Sequence, residues 1–100
     1  MASSDISEGD IESFSDIDAI QKRIIGNLLM VTPNDITILR KLNKIENMYK
    51  REIVSKTQHF SGQNAIIFII FEGTVQEFQE IVVEINSIEE IKNFRYLIVN

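Results

Sequence analysis

Two strand-to-helix units with the same hydrophobic pattern follow each other along the chain. In the first, the apolar run Ile24–Val31 leads into Thr32-Pro33-Asn34-Asp35; in the second, Ala65–Phe71 leads into Gly73-Thr74-Val75-Gln76-Glu77. Thr-x-x-acid is the capping-box pattern, in which the threonine oxygen and the acid bind free N–H groups at a helix start. The repeat therefore predicts a strand, a cap and a helix twice, with Thr32 and Thr74 as the N-caps.

The segments after the two caps have apolar residues on one side of a helix. Spacings of three and four residues define each apolar stripe. The first stripe consists of Ile36, Leu39, Leu42 and Ile45, and the second of Phe78, Ile81, Val82, Ile85 and Ile88. Each helix is predicted to bury its stripe against a sheet.

Two further strands complete the predicted elements. Met48–Phe60 has strand character, strongest from Glu52, and the turn Ser61-Gly62-Gln63-Asn64 joins it to the apolar run as a hairpin. Phe94–Val99 alternates large apolar residues and is predicted as the last strand. In the first strand, Gly26 and Asn27 indicate a bulge or the close approach of another backbone.

The predicted order β-α-β-β-α-β is that of the ferredoxin-like fold, an α+β architecture. Two right-handed crossovers place both helices on one face of a four-stranded antiparallel sheet, with the first and third strands in its centre. Residues 21–100 form this domain. Residues 1–20 contain few apolar positions and are expected to be a disordered acidic tail.

The sheet face without helices is predicted to be an interface. The third strand is apolar at both parities, so one set of its side chains has no helix to cover it, and exposed apolar areas of this size mark interaction sites. We expect a homo-oligomer, a dimer or a tetramer, or a tail folded across the sheet. The expected interface residues are Ile67, Ile69, Phe71, Ile25 and Leu29.

The net charge of −5 lies in the tail. Residues 1–18 hold six acids and no base, whereas the remaining residues hold ten bases and nine acids. The domain is therefore not an electrostatic nucleic-acid binder. Its one basic cluster is predicted to be solvated surface or, alternatively, a docking site for an acidic partner such as the tail; its members are Arg40, Lys41, Lys44, Lys50 and Arg51.

The composition indicates a cellular compartment and excludes some kinds of chemistry. Cysteine is absent, which excludes disulfides and thiolate metal sites and fits a cytoplasmic location. The longest apolar run, Ala65–Phe71, is much shorter than the roughly 20 residues that cross a bilayer, so no membrane association is expected. No secretory signal pattern opens the chain. No cofactor is expected.

His59 is the single histidine, and no catalytic constellation surrounds it in the sequence. A lone histidine without cysteine completes no metal site within one chain. Ser55 and Ser61 lack a nucleophile-elbow pattern, and Glu89-Glu90 lie at a helix end. We expect no catalytic and no metal-binding residue, with His59 as a half-buried, locally hydrogen-bonded strand residue.

Residues from about 24 to 99 resemble the C-terminal effector domain of nickel-responsive ribbon-helix-helix transcriptional regulators, an ACT-like ferredoxin fold. The resemblance runs through Leu42–Asn47, Ser55–His59 and Asn64–Gly73 with the helix that follows. It implies association through the sheet and a small-ligand pocket at a subunit interface, near Thr57, His59, Ser61 and Asn47.

The chain departs from that family at the metal site. The family uses His-x-His, a cysteine six residues later and a histidine of the facing subunit. Here these positions are Thr57-x-His59, Ala65 and the neighbourhood of Asn47, so the resemblance implies no high-affinity nickel site. The family's DNA-binding segment is replaced by the acidic tail.

Three functions follow from these expectations. The first is a non-enzymatic ACT-like regulatory or assembly domain that oligomerises through its sheet and binds a small ligand or a protein partner. The second is a degenerate metal-responsive regulator domain whose site is completed by carboxylates. The third is a small ferredoxin-like enzyme with His59 as acid or base at a subunit interface. The fold alone does not choose between them.

Overall fold

The structure, a computed structural model, describes residues 21–99. The expectations for the tail, residues 1–20, lie outside these residues. Within the described part the elements follow the predicted order β-α-β-β-α-β, and their bounds are β1 Arg23–Pro33, α1 Ile36–Met48, β2 Ile53–Ser61, β3 Asn64–Thr74, α2 Val75–Asn86 and β4 Asn93–Val99.

The four strands form one antiparallel sheet in the order β2-β3-β1-β4. The central strands β1 and β3 pair over eleven positions without a register shift, and β4 pairs with the other side of β1 over seven. This arrangement confirms the ferredoxin-like α+β fold and the central position of the first and third strands. The edge strands are β2 and β4.

The core lies between the sheet and the two helices. Alternate residues of β1 and β3 point into it, as strand geometry requires. The largest fully buried side chains come from both layers and are Phe71, Phe78, Leu28, Met30, Ile67, Ile69, Ile81 and Ile85.

The predicted N-cap Thr74 is confirmed, and the predicted N-cap Thr32 is wrong. Thr74 Oγ1 accepts from Glu77 N at 3.1 Å and Glu77 Oε1 accepts from Thr74 N at 2.9 Å, which completes a capping box. Thr32, by contrast, continues β1 and is fully buried opposite Ala65. Asp35 caps α1 instead, since its Oδ1 accepts from Thr37 N at 2.8 Å.

The predicted buried stripe of α1 is correct in part. Leu42 and Ile45 are buried together with Ile38, and Leu39 packs partly against the core, whereas Ile36 is the first helical residue and is 65% exposed. Met48, predicted to begin a strand, is the last residue of α1. In α2 the predicted residues Phe78, Ile81 and Ile85 are buried, and Val82 packs partly against them. Ile88, predicted to continue this stripe, is also buried but lies just after the end of the helix.

Gly26 is packed against the ring of Phe78. The register of β1 is uninterrupted at this residue, so no bulge occurs there. A Cβ atom at position 26 would overlap the Phe78 ring. The ring is held on its other sides by Phe71, with a centroid distance of 5.3 Å, and by Tyr96, at 5.8 Å.

We therefore expect Gly26→Ala to destabilise the fold by about 1–3 kcal/mol, because an added methyl group in a close-packed core displaces its neighbours. The measurement is urea unfolding at equilibrium. The double variant Gly26→Ala, Phe78→Leu should lose less unfolding free energy than the sum of the losses in the two single variants. Strict additivity of the two losses would contradict this contact as the cause.

Candidate functional site

The second face of the sheet has no helix against it in the described part of the chain. We call it the open face. Its side chains come from the strand positions that alternate with the core positions, and the register places them in rows across the sheet. Its apolar members are Ile25, Leu29 and Val31 of β1, Ile66, Phe68 and Ile70 of β3, and Leu97 and Val99 of β4.

The expected interface residues divide between the two faces. Ile25 and Leu29 lie on the open face and are 42% and 40% exposed. The expectation for Ile67, Ile69 and Phe71 is wrong, because all three lie under the helices with at most 1% exposed. β3 is apolar at both parities, so its composition does not show which set faces the helices; the register places Ile66, Phe68 and Ile70 on the open face.

Apolar residues of the two central strands lie side by side on the open face, with the polar Asn27 between Ile25 and Leu29. Phe68 lies opposite Leu29, and Ile66 lies opposite Val31. The β4 residues Leu97 and Val99 extend this area to the edge of the sheet with exposures of 60% and 43%. Contiguous apolar surface of this kind is rare on monomeric proteins and marks sites of interaction.

A row of polar residues borders this area along β2. Thr57 pairs with Phe68, His59 with Ile66, and Ser61 with Asn64. The structure therefore brings Thr57, His59 and Ser61 to one side of one strand, about 7 Å from one to the next. All three are exposed, and their hydroxyl and imidazole groups supply hydrogen-bond donors and acceptors.

Asn47 does not join these three residues within one chain. It lies exposed near the end of α1 and borders a groove with Tyr49 and Glu80 on the helix side of the sheet. The sheet separates the two places. A pocket made from all four residues would need Asn47 of a second copy.

Arg95 is a charged residue of the open face that sequence reasoning missed. It lies opposite Leu29, next to a shallow depression of about 230 Å³ that Phe68 and Leu97 also line. Its alternation with Leu97 and Val99 along β4 is the sequence signal that places it on this face. A cation beside an apolar floor is suited to an acidic or amphipathic group.

Among residues 21–99, no three His, Cys, Asp or Glu side chains lie together in a way that could hold a metal ion. The basic cluster of α1 and the turn after it is exposed throughout. In this cluster, Lys41 Nζ lies 3.7 Å from Glu90 Oε2. None of the helices in the described chain is long and apolar enough to cross a membrane.

Tyr49 is the titratable group in the described chain whose pKa departs most clearly from its ordinary value. It is 9% exposed at the end of α1. Burial raises the pKa of its hydroxyl above the ordinary value of 10.0, and nearby carboxylates add to the rise; these belong to Glu80, Glu84, Glu52 and Glu77. The tyrosine therefore stays neutral over the physiological range and has a structural place at the helix end.

Comparison with known proteins supports the architecture alone. The structure of an uncharacterized protein from Thermotoga maritima, TM1266, superposes with a TM-score of 0.74, covering 79% of this chain and all of that one at 12% sequence identity. No protein-family model and no curated protein matches the chain.

The raised pKa of Tyr49 predicts a loss of stability in alkaline solution. The folded state holds the phenolic proton more tightly than the unfolded state, so this contribution is complete below the ordinary pKa of 10.0 and is lost as the pH rises through the folded pKa. We expect wild-type stability to fall more steeply than that of Tyr49→Phe as the pH rises above 10.0. Parallel urea-unfolding curves for the two proteins would contradict the assignment.

The expectation that His59 is half-buried is wrong, because its side chain is exposed on an edge strand. We therefore expect His59→Ala to change the free energy of unfolding by no more than about 0.5 kcal/mol. We also expect calorimetric titration of the full chain with nickel, cobalt or zinc to show no binding at micromolar protein. A metal affinity that His59→Ala abolishes would show that His59 and ligands of a second copy form a site.

Proposed function

We propose that this chain is a non-enzymatic ACT-like regulatory or assembly domain. It associates with a second copy through the open face and binds a small ligand or a protein partner at the polar margin of that face. The observation that carries the proposal is the group of apolar residues on the open face of β1, β3 and β4, centred on Leu29 and Phe68.

The energetics favour burial of this area. Full burial of one large apolar side chain contributes about 1.5–3 kcal/mol, so a side chain that is 40–60% exposed retains roughly 1 kcal/mol of unused burial. The exposed fractions of Ile25, Leu29, Leu97 and Val99 fall within this range. Their shared location on one face means that one partner of matching shape covers them together.

A second copy is the partner whose chemistry fits best. The same apolar residues then meet across a two-fold axis, which is the usual symmetry of protein dimers. Arg95 is on the edge strand β4 opposite Leu29, so its charge lies beside the apolar residues of β1 and β3 and not among them.

The row Thr57, His59 and Ser61 gives the proposed recognition site. It lies beside the apolar area and stays at the margin of a face-to-face dimer, where polar residues commonly form the rim. A ligand bound there contacts hydroxyl and imidazole groups of one copy and reaches residues of the other. Binding that favours the associated form shifts the equilibrium toward it.

The surroundings of His59 support a non-enzymatic role. Its row across the open face continues through Ile66, Val31 and Asn93, none of which carries a carboxylate. General acid–base catalysis commonly relies on a titratable group held in a pocket that excludes water and tunes its pKa. His59 is exposed on an edge strand and has no such pocket within the described chain.

We expect Leu29→Lys to lower the mass of the assembly in sedimentation velocity, because the ammonium group would be buried in the open-face contact without a partner. The weakening should reach at least about tenfold in the dissociation constant, or roughly 1.4 kcal/mol. Circular dichroism should show an unchanged fold, since the side chain is 40% exposed in the single chain.

Val83→Lys is the matched control. Val83 is 68% exposed on α2, away from the sheet, so its replacement should leave the mass unchanged. A wild-type chain that remains monomeric at high concentration would contradict the proposal. An assembly unaffected by Leu29→Lys would also contradict it.

A further inference from the structure

The edge strand β4 has a large exposed apolar surface of its own. Four consecutive residues are uncovered: Tyr96 is 55% exposed, Leu97 60%, Ile98 43% and Val99 43%. Leu97 and Val99 belong to the open face, whereas Tyr96 and Ile98 are on the helix side. A contact through the open face alone therefore leaves half of this surface in water.

Backbone hydrogen bonds show which groups of β4 point outward. The bonds from Val75 N to Lys22 O, 2.9 Å, and from Asn34 N to Gln63 O, 2.8 Å, continue the pairing of β1 and β3. Even-numbered residues of β1 thus face β3, and odd-numbered residues face β4. By the register, odd-numbered residues of β4 bond to β1, so Tyr96 and Ile98 direct their N–H and C=O groups to the open edge.

The opposite edge strand, β2, has features that discourage pairing. A register irregularity lies between Ile53 and Ser55, and bulges of this kind twist an edge away from a flat partner. Its later residues are mostly polar on both faces, and Lys56 Nζ is bonded to Glu46 Oε1 at 2.7 Å on the helix side. β4 has no charge from Tyr96 to Val99 and an uninterrupted register.

We infer that β4 pairs antiparallel with β4 of a second copy, which joins two sheets into one of eight strands. This inference goes beyond the proposed function, because edge pairing and open-face contact bury different groups. Edge pairing satisfies the outward backbone groups of Tyr96 and Ile98 and covers the helix-side surface that the open-face contact leaves exposed.

A second copy fits this edge because β4 is complementary to itself. A two-fold axis through Leu97 places Tyr96 opposite Ile98, and both have outward backbone groups, as a hydrogen-bonded pair requires. The same axis places Arg95 opposite Val99, so the two arginines do not oppose each other. A strand of another protein would also need to be uncharged and apolar on both of its faces to fit this edge.

The helix side of the paired strands is also complementary. Tyr96 packs edge-on against Phe78 of α2 with a centroid distance of 5.8 Å, and Ile98 beside it remains partly uncovered. In the two-fold pair, Tyr96 of each copy lies opposite the uncovered Ile98 of the other. Aromatic and β-branched cross-strand pairs stabilise antiparallel sheets by roughly 0.2–1 kcal/mol each.

The two contacts are compatible in one closed assembly. The two-fold axis of edge pairing is perpendicular to the sheet, while the axis of the open-face contact lies parallel to it. Two perpendicular two-fold axes that intersect generate a tetramer of four equivalent copies. It consists of two eight-stranded sheets stacked on their open faces, with the helices outside.

Ile98→Pro in the full chain tests the edge pairing. Proline removes an N–H that points to the open edge and leaves the bonds between β1 and β4 intact. We expect sedimentation velocity to show half the wild-type mass. Gln58→Pro is the matched control: its N–H also points outward, from β2, and we expect the wild-type mass.

Ile98→Lys provides a second test that keeps the backbone N–H group, and its mass should also fall by half. If circular dichroism shows that Ile98→Pro is unfolded, Ile98→Lys decides the test. Ile98→Lys combined with Leu29→Lys should be monomeric.

Wild-type mass for a folded Ile98→Pro or for Ile98→Lys would overturn the edge pairing, and so would a loss of mass with Gln58→Pro alone. These outcomes leave the proposed function standing if Leu29→Lys still lowers the mass. Conversely, an effect of Ile98→Lys without an effect of Leu29→Lys would support the edge and reject the open-face contact.

Discussion

The structure depends on one constraint. The two central strands have apolar residues on both sides, but the helices cover only one side. In β3, Ile67 and Ile69 are buried under α1 and α2, while Ile66 and Phe68 form the open face together with Leu29. The helix side provides the stability of the single chain. The open face is only partly buried in the single chain, where Ile25 and Leu29 are 42% and 40% exposed, so a partner would bury the remainder.

The same constraint accounts for the position of the polar groups. Among residues 21–99, Thr32 is the one polar residue buried in the core, and the hydroxyl and imidazole groups of Thr57, His59 and Ser61 lie at the margin of the open face. They are exposed in the single chain and adjacent to a surface that a second copy would cover. In the proposed function, recognition at Thr57 and His59 is coupled to assembly, because a ligand at this margin contacts both copies.

Several features could be predicted from the sequence because a local rule determines them. The element order follows from hydrophobic periodicity, and the Thr74 cap follows from its Glu three residues later. Other features depend on tertiary contacts. The cap at Asp35 rather than Thr32 depends on β1 continuing to pair with β3 as far as Pro33. Similarly, the inward parity of β3 depends on strand register, and the separation of Asn47 from Thr57 depends on the side of the sheet that each element occupies.

Burial of the open face by a second copy is tested most directly by isotope-filtered nuclear Overhauser spectroscopy on a mixture of carbon-13-labelled and unlabelled chains. The spectra report only contacts between copies. Our account predicts intermolecular signals at the methyl groups of Leu29, Ile66 and Ile70 and none at the exposed Val83 of α2. Intermolecular signals confined to the helices, or no signals from the open face in a sample shown to be associated, would contradict it.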